Sequence, residues 1–159
     1  MKTVLLALCL FGVAIIVLFV FLGVISRSGK APGLIEGRLS SCPEKPNCVC
    51  SEHKDDTLHY VEPVIIPDNS TSASVEMLKD TVRQMGGSIQ AESDTYLAAT
   101  FSSAIFGFVD DMEIRIDSLQ DVIHVRSASR VGHSDMGVNR QRAELFKQLM
   151  LQKVSEANP

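Results

Sequence analysis

Tryptophan is absent from this sequence, and only two of its 159 residues are tyrosine. The formal net charge is −4, so the chain has neither the basic surface nor the stacking aromatic side chains that nucleic-acid-binding proteins use. Phosphate-binding loops, dinucleotide fingerprints and spaced nucleophile–base motifs are also absent from the sequence. We therefore predict no nucleic-acid partner and no cofactor.

The most apolar part of the chain is a run of 22 residues without charge, Val4 to Ile25. About 20 apolar helical residues span a bilayer core of roughly 30 Å, and a helix satisfies its own backbone there. A cleaved signal peptide has a shorter apolar region that ends at a small-residue site, and this sequence lacks such a site. The run predicts a retained single-pass anchor over residues 1–26, which contacts the membrane through residues 4–25.

The rest of the chain is organised as one domain. Residues 27–41 are rich in Gly and Ser and lack periodicity, which predicts a flexible linker. A single domain is predicted over residues 42–154, which is long enough for one modest core, and residues 155–159 form a tail.

Within the domain, hydrophobic periodicity predicts strands over residues 59–66, 88–92 and 96–102, and helices over 72–85 and about 136–154. Ser72 or Ser74 is the predicted cap of the first helix, and Ser134 or Asp135 that of the second. The predicted buried stripe of the second helix is Val138, Leu145, Phe146, Leu149 and Met150. Together with the hairpin described next, the order predicts an α+β domain: an antiparallel sheet of about five strands with two helices packed on one face.

A β-hairpin is predicted in "DDMEIRIDSLQDVIHVRSAS", where apolar and charged residues alternate on both sides of a four-residue turn. If Asp117 pairs with Val122, apolar residues face each other on one side of the hairpin, and Glu113 faces Arg126 on the other. One register satisfies both patterns, which specifies the pairing.

Basic residues concentrate near the C-terminal helix. Several guanidinium groups near a helix N-terminus suit a phosphate or carboxylate. The candidate ligand-binding residues are Arg126, Arg130, Arg140, Arg142, Asp110, Asp111 and His133. In the alternative interpretation the arginines are structural, with Arg126 paired to Glu113 and Arg130 to an acid such as Asp111. The apolar residues Phe101, Ile105, Phe106 and Phe108 are either core residues or the wall of a pocket for an apolar ligand with a polar head.

Histidines and acids crowd the start of the domain at His53, Asp55, Asp56 and His59. Because they lie in a predicted loop rather than on one face of a rigid element, we predict no metal site. Three other residues, Asp110, Asp111 and His124, are candidate acid–base groups of a hydrolase.

Three cysteines, Cys42, Cys48 and Cys50, lie close together. Spacing alone leaves a disulfide, free structural thiols and a metal site open, although a tetrahedral zinc site needs a second ligand pair.

Four segments resemble, in order and spacing, the family known as domain of unknown function 1499: "CPEKPNCVCS", "HYVEP", "FGFVDDMEIRID" and "VIHVRSASRVGHSDMGVNRQR". The family has no established activity, and its members often carry a membrane segment or export signal. The resemblance implies that Cys42 and Cys48 form the family's cysteine pair, a disulfide, and that Cys50 is an additional thiol where the family has serine. His133 stands where the family commonly has tyrosine.

The side of the membrane follows from two opposed signals. Basic residues after the anchor outnumber those before it, which favours a cytoplasmic domain. A disulfide needs an oxidising compartment, and we give this more weight, so the domain is predicted on the periplasmic side. The function predicted is an extracytoplasmic binding module for a small anionic or amphiphilic ligand. The alternatives are a cell-envelope assembly factor with an unidentified protein partner and the hydrolase above.

Overall fold

The structure is a computed structural model that describes residues 1–66 and 75–157. Along the chain the elements are α1 (Lys2–Arg27), β1 (Leu34–Ile35), β2 (Arg38–Leu39), β3 (Cys48–Cys50), β4 (Val64–Ile65), α2 (Val75–Gln84), β5 (Ser88–Glu92), β6 (Tyr96–Ser102), β7 (Val109–Asp117), β8 (Val122–Ser129) and α3 (Val138–Ala157). The predicted caps of α2, Ser72 and Ser74, lie outside the described residues.

Helix α1 contains the apolar run and extends over 26 residues, about 39 Å at 1.5 Å per residue. In the described part of the chain it is the one helix long and apolar enough to cross a membrane. Its most apolar stretch is not buried against the domain. Contact with the domain is confined to the last turns, where Gly23 and Ser26 are buried.

The domain is built on an antiparallel sheet in the order β3-β8-β7-β6-β5, with β4 also paired to β8. The prediction of an α+β domain with an antiparallel sheet is confirmed, with six strands in the described part of the chain rather than about five. The additional strand is β3, which has three residues and pairs with the far end of β8. Strands β5 and β6 have the predicted bounds.

The register predicted for the β7–β8 hairpin is confirmed. Asp117 pairs with Val122, Ile114 with Val125 and Glu113 with Arg126. The two faces of the sheet consequently differ in chemistry. One presents residues such as Met112 and Ile114 to the helices, and the other presents acidic and basic side chains.

Helices α2 and α3 cover the apolar face, as predicted. The core combines Leu78 and Val82 of α2 with Phe146 and Met150 of α3. The predicted stripe of α3 is confirmed at Phe146 and Met150, which are fully buried, and wrong at Val138 and Leu145, which are 44% and 45% exposed. Ala143 and Val154 are buried with the first two, at spacings that follow the helical repeat of 3.6 residues. Asp135 caps α3, because its carboxylate accepts the N–H groups of Gly137 and Asn139 at 3.0 and 2.7 Å.

Residues 28–39, here called the strap, lie over the charged face of the sheet. Within the predicted linker, β1 and β2 form a short antiparallel hairpin, and Leu39 is buried. The turn of this hairpin contains Gly37 with φ +78°, a conformation that glycine adopts without steric cost. The strap thus connects the end of α1 to the domain through this short hairpin and the buried Leu39.

Candidate functional site

The charged face of the sheet carries a row of buried ion pairs. Arg115 Nε donates to Glu52 Oε1 at 2.6 Å, and Arg126 Nη1 donates to Glu113 Oε2 at 3.0 Å. The strap closes over this row, because Arg38 Nε donates to the other oxygen of Glu52 at 2.8 Å. Side chains alternate between the two faces along β7 and β8, which places Glu113, Arg115 and Arg126 on the same face. Arg126 therefore reaches Glu113 directly across the two strands.

Glu113 is the centre of the row and is fully buried. In addition to Arg126, its carboxylate accepts the Tyr96 hydroxyl at 2.8 Å and the Gly33 N–H of the strap at 2.9 Å. Burial, and then the neighbouring Glu113 carboxylate, raise the pKa of Tyr96 above its ordinary range, which keeps this phenol a donor. Across residues 1–66 and 75–157, the one buried side-chain nitrogen or oxygen without a hydrogen-bond partner is Arg126 Nε.

Arg130 joins the domain to the end of α1. Its Nε and Nη2 donate to the two carboxylate oxygens of Asp111 at 2.8 and 2.7 Å. Its Nη1 donates to the backbone carbonyls of Ser26 and Arg27 at 3.2 and 3.3 Å, where a cation complements the helix C-terminus. The Asp111 carboxylate raises the pKa of Arg130. Arg130 therefore holds the end of α1 against the sheet.

The remaining predicted residues lie elsewhere. Arg142 pairs with Asp110 at 2.8 Å on the helix-covered side, because neighbouring strand residues point to opposite faces. Arg140 donates to the backbone carbonyls of residues 60 and 58, and His133 is exposed before α3. The alternative interpretation, in which the arginines are structural, paired Arg126 with Glu113 and Arg130 with an acid such as Asp111. Both ion pairs are present. The four arginines do not converge on one site, and a ligand-binding role for them stays a prediction.

A cavity of about 280 Å³ lies between α1 and the domain. One part of its wall is apolar and includes Phe19 and Leu22 of α1. The other part is polar and includes Asp110, Ser129 and Asp135. The full lining is Phe19, Leu22, Ser103, Phe108, Val109, Asp110, Ser129, Val131, Gly132, Ser134, Asp135 and Val138. The sequence does not locate this cavity, since nothing in a uniformly apolar run distinguishes Phe19 and Leu22 from neighbours that face away from the domain.

Residues 103–108, here called the aromatic loop, form the side of this cavity that meets the anchor. Phe19 of α1 packs on Phe106 and Phe108, with ring centroids 5.1 and 6.1 Å apart. A Cβ atom at Gly23 would overlap the carbonyl oxygen of Phe106, so only glycine allows this close approach. Two of the phenylalanines predicted as core or pocket wall therefore contact the anchor, while Phe101 packs beside the main core.

A second, polar cleft of about 730 Å³ lies at the opposite end of β7 and includes His124, Glu52 and Arg115 in its lining. Burial lowers the pKa of His124. Burial also disfavours charge on Glu52, but the hydrogen bonds from Arg115, Arg38 and the Leu39 N–H outweigh it and lower the pKa of this carboxyl. His124 Nδ1 lies 3.1 Å from Ser51 Oγ. That serine is fully buried and accepts the Val125 N–H, so this pair has a structural role.

The three acid–base candidates do not form one catalytic group. In the register of β7 and β8, His124 lies opposite Arg115, and Asp110 lies opposite Ser129, five positions away. Five positions along a strand correspond to about 16 Å. Both aspartates are engaged by arginines in the pairs described above.

Two of the three neighbouring cysteines form a disulfide, Cys42–Cys48, with Cα atoms 5.7 Å apart. Cys50 is a free, buried thiol, and burial raises its pKa, which favours the protonated form. No group of three or more His, Cys, Asp or Glu side chains that could hold a metal occurs in the described ranges. His59 instead contacts Asp56 at 2.7 Å and the Lys45 carbonyl at 3.0 Å.

These features define a small α+β domain joined to an apolar N-terminal helix, with a disulfide near the start of its sheet. The family described as protein of unknown function (DUF1499) matches residues 38–150, and the chain belongs to this family. No curated protein and no solved structure is significantly similar to the chain.

Proposed function

We propose that this chain is a single-pass membrane protein whose extracytoplasmic domain binds an amphiphilic ligand in the cavity beside its anchor. The observation that carries the proposal is the composition of the cavity wall, since α1 contributes only apolar side chains to it, Phe19 and Leu22, and all of its polar groups come from the domain. Ligand sites are typically apolar cavities with a few convergent polar groups. An amphiphile in the membrane would reach this cavity by lateral movement along α1.

The polar part of the wall favours a neutral or cationic head group. It contains the carboxylates of Asp110 and Asp135, with the Arg142 guanidinium bound to the first. Serine hydroxyls at Ser103 and Ser134 are also present. Three of the four arginines expected to bind an anion are paired with carboxylates, and the fourth, Arg140, is bound to backbone carbonyls. An anionic head group would therefore meet a net negative wall. We therefore choose the amphiphilic alternative with a hydroxyl or ammonium head.

The size of the cavity limits what it holds. Its volume of about 280 Å³ is just below the usual range of small-molecule sites. It accommodates a head group and the first part of a chain, and the rest of the ligand extends along α1 into lipid.

The extracytoplasmic side is supported by the Cys42–Cys48 disulfide, because disulfides persist in oxidising compartments. Cys50 is buried and cannot report the side, so we would use Leu119→Cys, which replaces a side chain 97% exposed at the β7–β8 turn. Labelling of this cysteine by a membrane-impermeant maleimide in intact cells supports the proposed side. Labelling only after lysis would place the domain in the cytoplasm.

The ligand test compares two α3 variants, one with its substitution inside the cavity and one with its substitution outside it. Val138→Phe fills the cavity, since Val138 lines it. Leu145→Phe is the control, because Leu145 is almost equally exposed on the same helix and does not line the cavity. We would incubate the full chain in micelles with lysophosphatidylethanolamine or lysophosphatidylglycerol and measure the bound lipid by native mass spectrometry.

We expect the parent and Leu145→Phe to retain lysophosphatidylethanolamine and Val138→Phe to lose it. Equal retention by all three proteins would refute the cavity as the site. Stronger retention of lysophosphatidylglycerol would refute the proposed head-group chemistry.

A further inference from the structure

The aromatic loop exposes an apolar residue next to the membrane anchor. Ile105, within this loop, is 85% exposed. The residues after it, Phe106 and Phe108, pack on Phe19 of α1. An exposed isoleucine is ordinary by itself, but this one directly precedes Phe106, whose ring packs on Phe19 of α1, a residue that is itself 40% exposed.

The position of Phe19 along α1 sets the depth of the loop. Phe19 lies six residues before Ile25, the last residue of the apolar run, which is about 9 Å along a helix axis. The complete run of 22 residues is about 33 Å long and has little length to spare over a hydrocarbon core of roughly 30 Å. If α1 spans the membrane, Phe19 lies within the hydrocarbon, and the phenylalanines packed on it lie at or below its boundary.

The backbone of the loop suits this environment. The Gly107 N–H donates to the Ser103 carbonyl at 3.1 Å, and the Ser103 N–H donates to the Phe108 carbonyl at 2.8 Å. The Phe108 N–H donates to Ser103 Oγ at 3.0 Å. Satisfied backbone groups lower the cost of leaving water. The guanidinium group of Arg27 lies beside Gly107. Because a charged group stays at the level of the lipid head groups, this contact limits how deeply the loop can enter the bilayer.

We propose that the aromatic loop inserts into the boundary between acyl chains and head groups of the bilayer that holds α1. This inference rests on the membrane anchoring in the proposed function, but it is independent of any ligand in the cavity. Insertion beside the anchor gives the domain a second membrane contact. The two membrane contacts together would fix the tilt of the domain relative to the membrane surface.

The absence of tryptophan from the chain allows a direct test. Ile105→Trp places a single fluorophore in the loop, and Leu119→Trp places one at an equally open position at the other end of β7. Phe11→Trp, in the middle of α1, is the reference for the membrane interior. Each full-length variant is reconstituted in phosphatidylcholine vesicles, with and without bromine atoms on the acyl chains near the head group.

We expect brominated lipid to quench most of the Ile105→Trp emission, which should also be shifted to the blue, and to leave Leu119→Trp unchanged. Quenching of Phe11→Trp without quenching of Ile105→Trp would refute loop insertion and leave the anchor intact. An unquenched Phe11→Trp would refute the anchor and the insertion together. A blue shift of Ile105→Trp that depends on protein concentration and not on bromine would assign the loop to contacts between copies, which also overturns the inference.

Discussion

Glu113 offers the sharpest test of the buried charged face. In Glu113→Gln the side chain keeps its shape but loses its charge, so the Arg126 guanidinium stays buried without a compensating carboxylate. Arg126 Nε has no partner to begin with, and the Nη1 bond to Glu113 is its only ion pair among the described residues. The amide nitrogen of glutamine would also face a donor from Tyr96, Gly33 or Arg126.

The expected cost follows from the burial of the pair. Removing one partner of a buried ion pair costs about 3–5 kcal/mol. This is a large part of the roughly 5–15 kcal/mol by which domains are stable. We expect denaturant unfolding of the full chain in micelles, followed by circular dichroism, to show a loss of this size. Hydrogen exchange should also show reduced protection of the strap, because Glu113 accepts the Gly33 N–H.

Two matched variants decide whether burial is the cause. Asp80→Asn breaks the exposed pair with Arg83 at 3.5 Å, for which the expected loss is at most about 1 kcal/mol. The double variant Glu113→Met with Arg126→Met removes both charges, and it should be more stable than either single methionine variant because no unpaired charge remains. If Glu113→Gln lowers the free energy of unfolding by no more than Asp80→Asn does, water reaches the charged face, and the explanation by burial is refuted.

Three further predictions concern the anchor contact, the polar cleft and the disulfide. Gly23→Ala should separate α1 from the aromatic loop and increase hydrogen exchange in the loop. Gly12 has open space around it, so Gly12→Ala should leave the exchange unchanged. Equal exchange in the two variants would refute the contact. Burial holds the pKa of His124 below its ordinary value of 6.5, so the unfolded chain binds more protons below that pH and stability falls as the pH falls. Melting temperatures measured against pH should show a smaller decline in His124→Gln, and an unchanged decline would refute this cause. Replacing Cys42 and Cys48 by serine should lower the free energy of unfolding by about 2–3 kcal/mol by the loop-closure argument, and reduction of the parent should lower it equally. If a reductant also destabilises the serine variant, the loss on reduction comes from another bond.

Local sequence patterns predicted those elements whose two faces differ. The β7–β8 register followed from alternation, because a slip by one residue would exchange apolar and charged faces. Strand β3 was missed because three residues between a disulfide and a loop carry no periodicity. Its strand conformation comes from pairing with β8. The buried face of α3 was misplaced because Asn139, polar yet fully buried, occupies a position that hydrophobicity alone assigns to solvent.

The candidate site was less predictable than the fold, for a physical reason. Ion pairs such as Arg126–Glu113 follow from strand register, so the sequence pointed to them. The cavity depends on contact between α1 and loops more than 80 residues away along the chain. The one residue that could have indicated the contact is Gly23, a glycine near the end of an apolar run, but many anchor helices contain glycine without such a contact.

The junction between anchor and domain has consequences beyond attachment. A helix joined to its domain by a flexible linker would leave the domain free to turn, with no fixed distance to the membrane. Here Ser26 Oγ accepts the Val109 N–H at 3.1 Å, Arg130 binds the helix end, and Gly23 admits the aromatic loop. The first and third of these contacts lie on one continuous segment of the domain and the second lies after β8, so α1 is held at two separate places. The cavity between α1 and the domain keeps a constant shape only if these contacts hold, because Phe19 and Leu22 of α1 form part of its wall.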